Sequence, residues 1–355
     1  MPEAGRRAGR ARRIVATLAL ALVAALGCVA LGTPLPWIIG PLLVTAVLGM
    51  AGVPLAGSTR LRNAGQWMIG VALGLYFTPE VVVLLGRLAP ALAAGIAWAL
   101  LMGYGFYRLL RRALPGAGDD RATPFFAAAI GGASEMAVMA ERVGGRVDRV
   151  AAAHSLRILI VVVTIPFAYQ ALGIHGVDVA APAVQQVSAP GLLALLALSA
   201  AGMALLAWLG APNPWVLGAL GSTALVTALG VELSALPRWA SNAGQLFIGV
   251  ALGVRFTPDF VRAAPRWLAA VALGTLAMIV ASAAFAAALA RGAGLHWATV
   301  LLGTSPGGIA EMCITAKVLQ LGVPVVTAFH VTRYVAVVLL TTPLYRWEAR
   351  RGRRA

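Results

Sequence analysis

Most of this chain can be written twice. Leu35-Pro36-Trp37-Ile38-Ile39-Gly40 returns 178 residues later as Asn213-Pro214-Trp215-Val216-Leu217-Gly218. Asn63-Ala64-Gly65-Gln66, continuing through Ile69-Gly70-Val71-Ala72-Leu73-Gly74 to Phe77-Thr78-Pro79-Glu80, returns after 179 residues as Asn242-Ala243-Gly244-Gln245, running on to Phe256-Thr257-Pro258-Asp259. A third set, Glu135, His154 and Arg157, returns after 176 residues as Glu311, His330 and Arg333. Offsets this steady across three blocks indicate an internal duplication, so the chain is expected to fold as two related halves.

Each half reads as six apolar segments, at 14–32, 36–52, 63–77, 88–110, 124–141 and 149–170, then 191–210, 214–230, 242–256, 267–291, 297–319 and 324–345. With 60% hydrophobic and 11% charged residues, the chain is unlike a soluble globule, where about a quarter would be charged. The net charge of +16 is almost all arginine, Lys317 being the one lysine. These arginines gather at segment ends, the pattern of cytoplasmic loops in an inner-membrane protein, and no nucleic-acid partner is expected. Cys28 and Cys313 lie in apolar runs and suggest neither a disulfide nor a metal site. The five arginines within 1–13, followed by the run 14–30, could be read as a secretory leader. The run at 191–209 holds the same place in the second half, so the first is read as an opening transmembrane helix.

Proline at the head of the second segments (Pro36, Pro214) suits a first helical turn. Trp37 and Trp215 beside them read as interfacial anchors. The third segments, about fifteen residues closed by Thr-Pro, are too short to cross ~30 Å of hydrocarbon unaided. The tails 1–13 and 347–355 and the connectors 58–62, 108–121 and 255–266 are basic, whereas 170–190 holds no Lys or Arg. That places both termini in the cytoplasm and the 171–190 linker outside, for repeats at 14–170 and 191–346. The expected fold is an all-α polytopic membrane protein of two inverted five-span halves, each with one broken or re-entrant segment. Twelve spans in parallel halves is the alternative.

The broken segments are expected at Gly131-Gly132-Ala133-Ser134-Glu135-Met136 and at Thr304-Ser305-Pro306-Gly307-Gly308, which leads into Glu311. Paired glycines weaken a helix by ~1 kcal/mol each relative to alanine, and Pro306 removes a donor. Irregular backbone at membrane depth is tolerated only when buried in protein or lining a wet cavity. An ionisable residue there suggests function, although each glutamate could simply cap its own half-helix or pair with an arginine. His154 and Arg157, like His330 and Arg333, lie three apart on one helical face. The histidines could carry protons or merely pack, and the arginines could meet the carboxylates or a charged solute. Asn63 with Gln66 and Asn242 with Gln245 form a second matched polar set, suited to a pathway or to interhelical hydrogen bonds. No Walker A pattern is present.

The doubled Pro-Trp-x-x-Gly, Asn-Ala-Gly-Gln…Phe-Thr-Pro and Gly-Gly…Glu-Met blocks resemble those of the membrane AbrB duplication family, over about residues 14–346. That resemblance implies a duplicated, glycine-broken membrane protein. Family members carry labels as regulators of gene expression and as ammonia monooxygenases, and the family brings no catalytic residues to transfer. Oxygen activation would need clustered histidines and carboxylates, but the four histidines (154, 175, 296, 330) are dispersed.

The sequence therefore points to a secondary transporter rather than an enzyme. A small anionic or zwitterionic solute would be coupled to H⁺ or Na⁺ at a site drawn from Ser134, Glu135, His154, Arg157, Ser305, Glu311, His330 and Arg333, with Asn63, Gln66, Asn242 and Gln245. No metal or cofactor is expected. The partners are the lipid bilayer, the solute and the coupling cation, and a homo-oligomer is compatible. A non-transporting membrane sensor that affects expression indirectly is the second reading.

Overall fold

The apolar runs fold as helices whose ends fall where prolines and glycines interrupt the pattern. A computed structural model of the protein describes residues 2–113, 120–176, 182, 184–262 and 264–351, with the backbone alone at 2–7, 113, 261 and 262. Parts of the 108–121 and 170–190 connectors and the end of the basic tail lie outside the described residues. In the first half the helices are α1 (Pro2–Ala30), α2 (Pro36–Met50), α3 (Thr59–Gly74), α4 (Pro79–Arg87), α5 (Ala89–Ala113), α6 (Ala122–Ala128), α7 (Ala133–Glu141) and α8 (Val147–Ala171). The second half follows the same order: α9 (Ala189–Trp208), α10 (Pro214–Ala228), α11 (Arg238–Gly253), α12 (Pro258–Arg262), α13 (Pro265–Ala293), α14 (Trp297–Thr304), α15 (Ile309–Val318) and α16 (Val323–Arg351). No strand occurs among the described residues.

Six of these helices, α1, α5, α8, α9, α13 and α16, are long and apolar enough to cross a bilayer. The protein is thus an all-α, multi-pass membrane protein. α2 and α10 have 15 residues each, and α3 and α11 have 16, about 23 Å of helix at 1.5 Å per residue. α4 and α12 are additions to the sequence reading, which closed the third segments at Thr-Pro. Pro79 and Pro258 instead open new short helices, and α4 turns 87° away from α3.

The chain divides into two compact units that do not follow its order; each takes elements from both halves. The first comprises 1–86, 169–262 and 317–324, with α1, α2, α3, α9, α10 and α11. Glycines make its closest crossings. A Cβ on Gly65 of α3 would lie 2.7 Å from the Gly244 carbonyl of α11, and a Cβ on Gly244 would lie 3.2 Å from the Gly65 carbonyl. Gly70 of α3 abuts the Val216 carbonyl of α10, and its counterpart Gly249 of α11 abuts the Ile38 carbonyl of α2. Each third helix therefore packs against the second helix of the opposite half, with the same contacts on both sides. Such close backbone approach is the usual basis of helix association in lipid, where apolar burial contributes little. Gly249→Ala should destabilise this unit by about 1–3 kcal/mol, because the methyl would meet backbone 2.6 Å away. The thermal midpoint in detergent checks this; an unchanged midpoint would show that the crossing has slack.

The second unit comprises 87–168, 263–316 and 325–355. α5 and α13 meet through Trp98, stacked on Phe285 at 4.4 Å and donating from Nε1 to Ser282 Oγ (3.3 Å). α8 and α16 are the most buried of the long helices. They flank the two interrupted segments, α6–α7 and α14–α15, amid Phe125, Phe126, Met136, Ala153 and Val337.

Candidate functional site

Both glutamate segments are broken as the glycines predict: α6 stops at Ala128 and α7 starts at Ala133, while α14 stops at Thr304 and α15 starts at Ile309. A helix end leaves backbone carbonyls without intrahelical partners, and inside a bilayer no water replaces them. Here α8 and α16 supply the donors. His154 Nε2 bonds the Phe126 carbonyl at 3.0 Å, and Arg157 Nη1 donates to the carbonyls of Ala129 (3.1 Å) and Ala127 (3.4 Å). The second break repeats the arrangement. His330 Nε2 bonds the Leu302 carbonyl at 2.9 Å, Arg333 Nη1 donates to the Ser305 carbonyl, and Nη2 donates to the Gly307 carbonyl at 2.7 Å.

The two ring nitrogens have defined roles. A carbonyl can only accept, so Nε2 carries the hydrogen. Nδ1 then accepts from the arginine, at 2.8 Å in both halves. A proton on Nδ1 would face an arginine N–H. This geometry suits a neutral, orienting histidine, and it does not favour the proton-carrier reading of His154 and His330.

The arginines also differ from the charge-pair expectation. The hydrogen bonds that hold them run to carbonyls and histidine. The partial negative charge at the C-terminus of α6 or α14, up to about −0.5, faces them at those carbonyls. Both Nε–H groups are buried without a partner, and Arg157 feels the charge of Arg333.

Each glutamate is the third residue of its half-helix, and its carboxylate folds back over the glycine before that helix. A Cβ on Gly132 would collide with Glu135 Oε2, and one on Gly308 with Glu311 Oε2. That is the reach-back of a capping box, in which the acid meets donors left open at a helix start. The breaks are also cross-braced: a Cβ on Gly131 would lie 3.1 Å from Val337 of α16, and one on Gly307 would lie 3.1 Å from Val161 of α8. Both breaks, both clamps and both glutamates thus belong to one unit.

Ser305 is buried, with its hydroxyl bonded to the Leu302 carbonyl at 2.9 Å, whereas Ser134 is exposed. Asn63, Gln66, Asn242 and Gln245 fall in the other unit, beside the Gly65–Gly244 crossing. Oriented to satisfy both its atoms, the Asn63 amide accepts from Trp215 Nε1 (2.9 Å) and donates to the Thr59 carbonyl. Interhelical bonding is what this side chain is seen to do, and Trp215 takes part in it. Tyr334 was missed by the sequence reading: its ring lies over Gly132, but the matching position in the first half is Ile158. A search for repeats passes over a residue that occurs once.

The sequence profile of a family described as "Transition state regulatory protein AbrB" matches residues 37–349. The chain is 28% identical to "Uncharacterized protein YhjN" of Bacillus subtilis (strain 168), over 89% of this chain and 88% of that protein. It is 25% identical to "Putative regulator AbrB" of Escherichia coli (strain K12), over 91% of this chain and 92% of that protein. No solved structure matches it.

Proposed function

This chain belongs to the AbrB family, and we propose that it works as a secondary transporter of a small anionic or zwitterionic solute, coupled to H⁺ or Na⁺. The observation that carries this reading is the pair of cross-braced broken helices in one unit, each with a buried guanidinium and a glutamate at its break. Discontinuous helices of two related halves are where secondary transporters place their substrate and coupling ion.

The charges suggest how coupling would arise. At each break an arginine meets the negative end of one half-helix, and a glutamate meets the positive end of the next. With helix ends near ±0.5, the break is about neutral when the glutamate is ionised and carries about one positive charge when it is not. An anion then enters most readily together with a proton or Na⁺ that offsets the carboxylate. The spare Nε–H groups of Arg157 and Arg333 are donors suited to a carboxylate.

In this reading the halves are inverted repeats with both termini in the cytoplasm of an inner-membrane protein, and the protein is not an enzyme. Impermeant labelling of the 170–190 connector should succeed from outside intact cells; labelling only after permeabilisation contradicts the inversion. The second reading, a non-transporting sensor, is favoured by the regulator names of the family and of the Escherichia coli relative. Uptake into proteoliposomes, with a panel of small carboxylates and amino acids, separates the two. Saturable uptake that follows an imposed H⁺ or Na⁺ gradient supports transport, and gradient-independent background across the panel supports the sensor.

A further inference from the structure

The two breaks match in sequence but differ in what they leave open. The Gly307 carbonyl is held by Arg333, yet the Gly131 carbonyl in the same place receives no bond from Arg157, which turns to Ala127 instead. Glu311 is buried at 7% exposure, whereas Glu135 is half-buried. Ser134 is exposed where the second half has buried Ala310. Tyr334 stands where the other half has Ile158. At 7% exposure its hydroxyl is buried and turned to the Glu135 carboxylate, without reaching the geometry of a well-formed hydrogen bond. A buried hydroxyl so weakly satisfied calls for an explanation. A largely apolar cavity of about 320 Å³ also reaches the first break, at Ala129 and Ile130, from the C-terminal end of α16 near Trp347.

We propose that the first break alone is the coupling-cation site, with Glu135 the carboxylate that takes up the cation and Tyr334 and Ser134 completing it, while Glu311 serves as a fixed helix cap. The proposal rests on the transporter reading and assigns its coupling step to one half. The ligand is a small monovalent cation: Na⁺ among the oxygens of Glu135, Ser134 and Tyr334, or a proton on Glu135 shared with the Tyr334 oxygen. Tyr334 is the ligand that the duplication does not supply. The other ionisable groups at this break are His154 and Arg157 from α8, with Arg333 of α16 close enough to act on Arg157 by its charge, and none of them is altered in the test variants.

The test uses purified full-length protein, with Na⁺ alone as the probe. Its thermal midpoint is followed against NaCl at constant ionic strength in choline chloride, and against pH without Na⁺. Wild type and Glu311→Gln should respond alike to one of the two cations. Glu135→Gln should lose that response, and Tyr334→Phe should need about tenfold more cation. Should Glu311→Gln fail to fold, Ser134→Ala against Ala310→Ser makes the same comparison, with only the former weakened. Equal losses in the two glutamate variants overturn the assignment. So does a Tyr334→Phe protein identical to wild type, or a wild type that responds to neither cation. An intact cation response in a protein that moves no solute contradicts the transporter reading instead.

Discussion

Replacing Arg333 by alanine lowers the thermal midpoint of the detergent-solubilised protein by on the order of 4 °C, about 3 kcal/mol at this chain length. Arg333 donates to two carbonyls in a buried break, and to the ring of His330. Each carbonyl left bare costs about 1–3 kcal/mol. Removing a buried charge works the other way, but this charge sits against a helix C-terminus that partly balances it, so the lost hydrogen bonds dominate. Arg157→Ala should cost less, because one of its carbonyl bonds is long at 3.4 Å. Arg333→Lys should recover part of the loss, since an ammonium cannot span both carbonyls as a planar guanidinium does. A larger loss in Arg157→Ala than in Arg333→Ala would contradict the account of the clamps.

Alanine at Gly132 or Gly308 separates position from stability. The added methyl meets the tip of a flexible glutamate side chain, and at Gly132 also the edge of the Tyr334 ring at 3.1 Å, rather than backbone, so the protein should fold with a stability change of about 1 kcal/mol. The carboxylate, however, can no longer lie over the helix start. A functional group displaced by about 1 Å is commonly enough to disable a site, and uptake should fall about tenfold in Gly132→Ala. Uptake unchanged in both variants would show that the folded-back carboxylates play no part in transport.

The helices were legible in the sequence because apolar runs, prolines and glycines mark their ends independently of packing. The break at 129–132 follows from Gly131-Gly132 and the one at 305–308 from Pro306-Gly307-Gly308, whatever surrounds them. The partners of His154, Arg157, His330 and Arg333 were not legible. Their spacing of three shows a shared face but not that the face meets the C-terminal end of α6 or α14. The short helices after Pro79 and Pro258 escaped notice because a proline that closes one helix can open the next. The asymmetry of the two breaks was hidden for another reason. Reading one half through the other draws attention to Glu135 and Glu311, which match, and away from Tyr334, which does not.

Access from both sides of the membrane tests the central claim most directly. An Ala133→Cys protein, at the same break, with Cys28 and Cys313 replaced by serine, can be exposed to an impermeant thiol reagent in right-side-out and in inside-out vesicles. A transporter whose first break is the working site predicts modification in both orientations, at rates that shift in opposite directions when the coupling cation is added. Modification from one side only, with and without the cation, would contradict it.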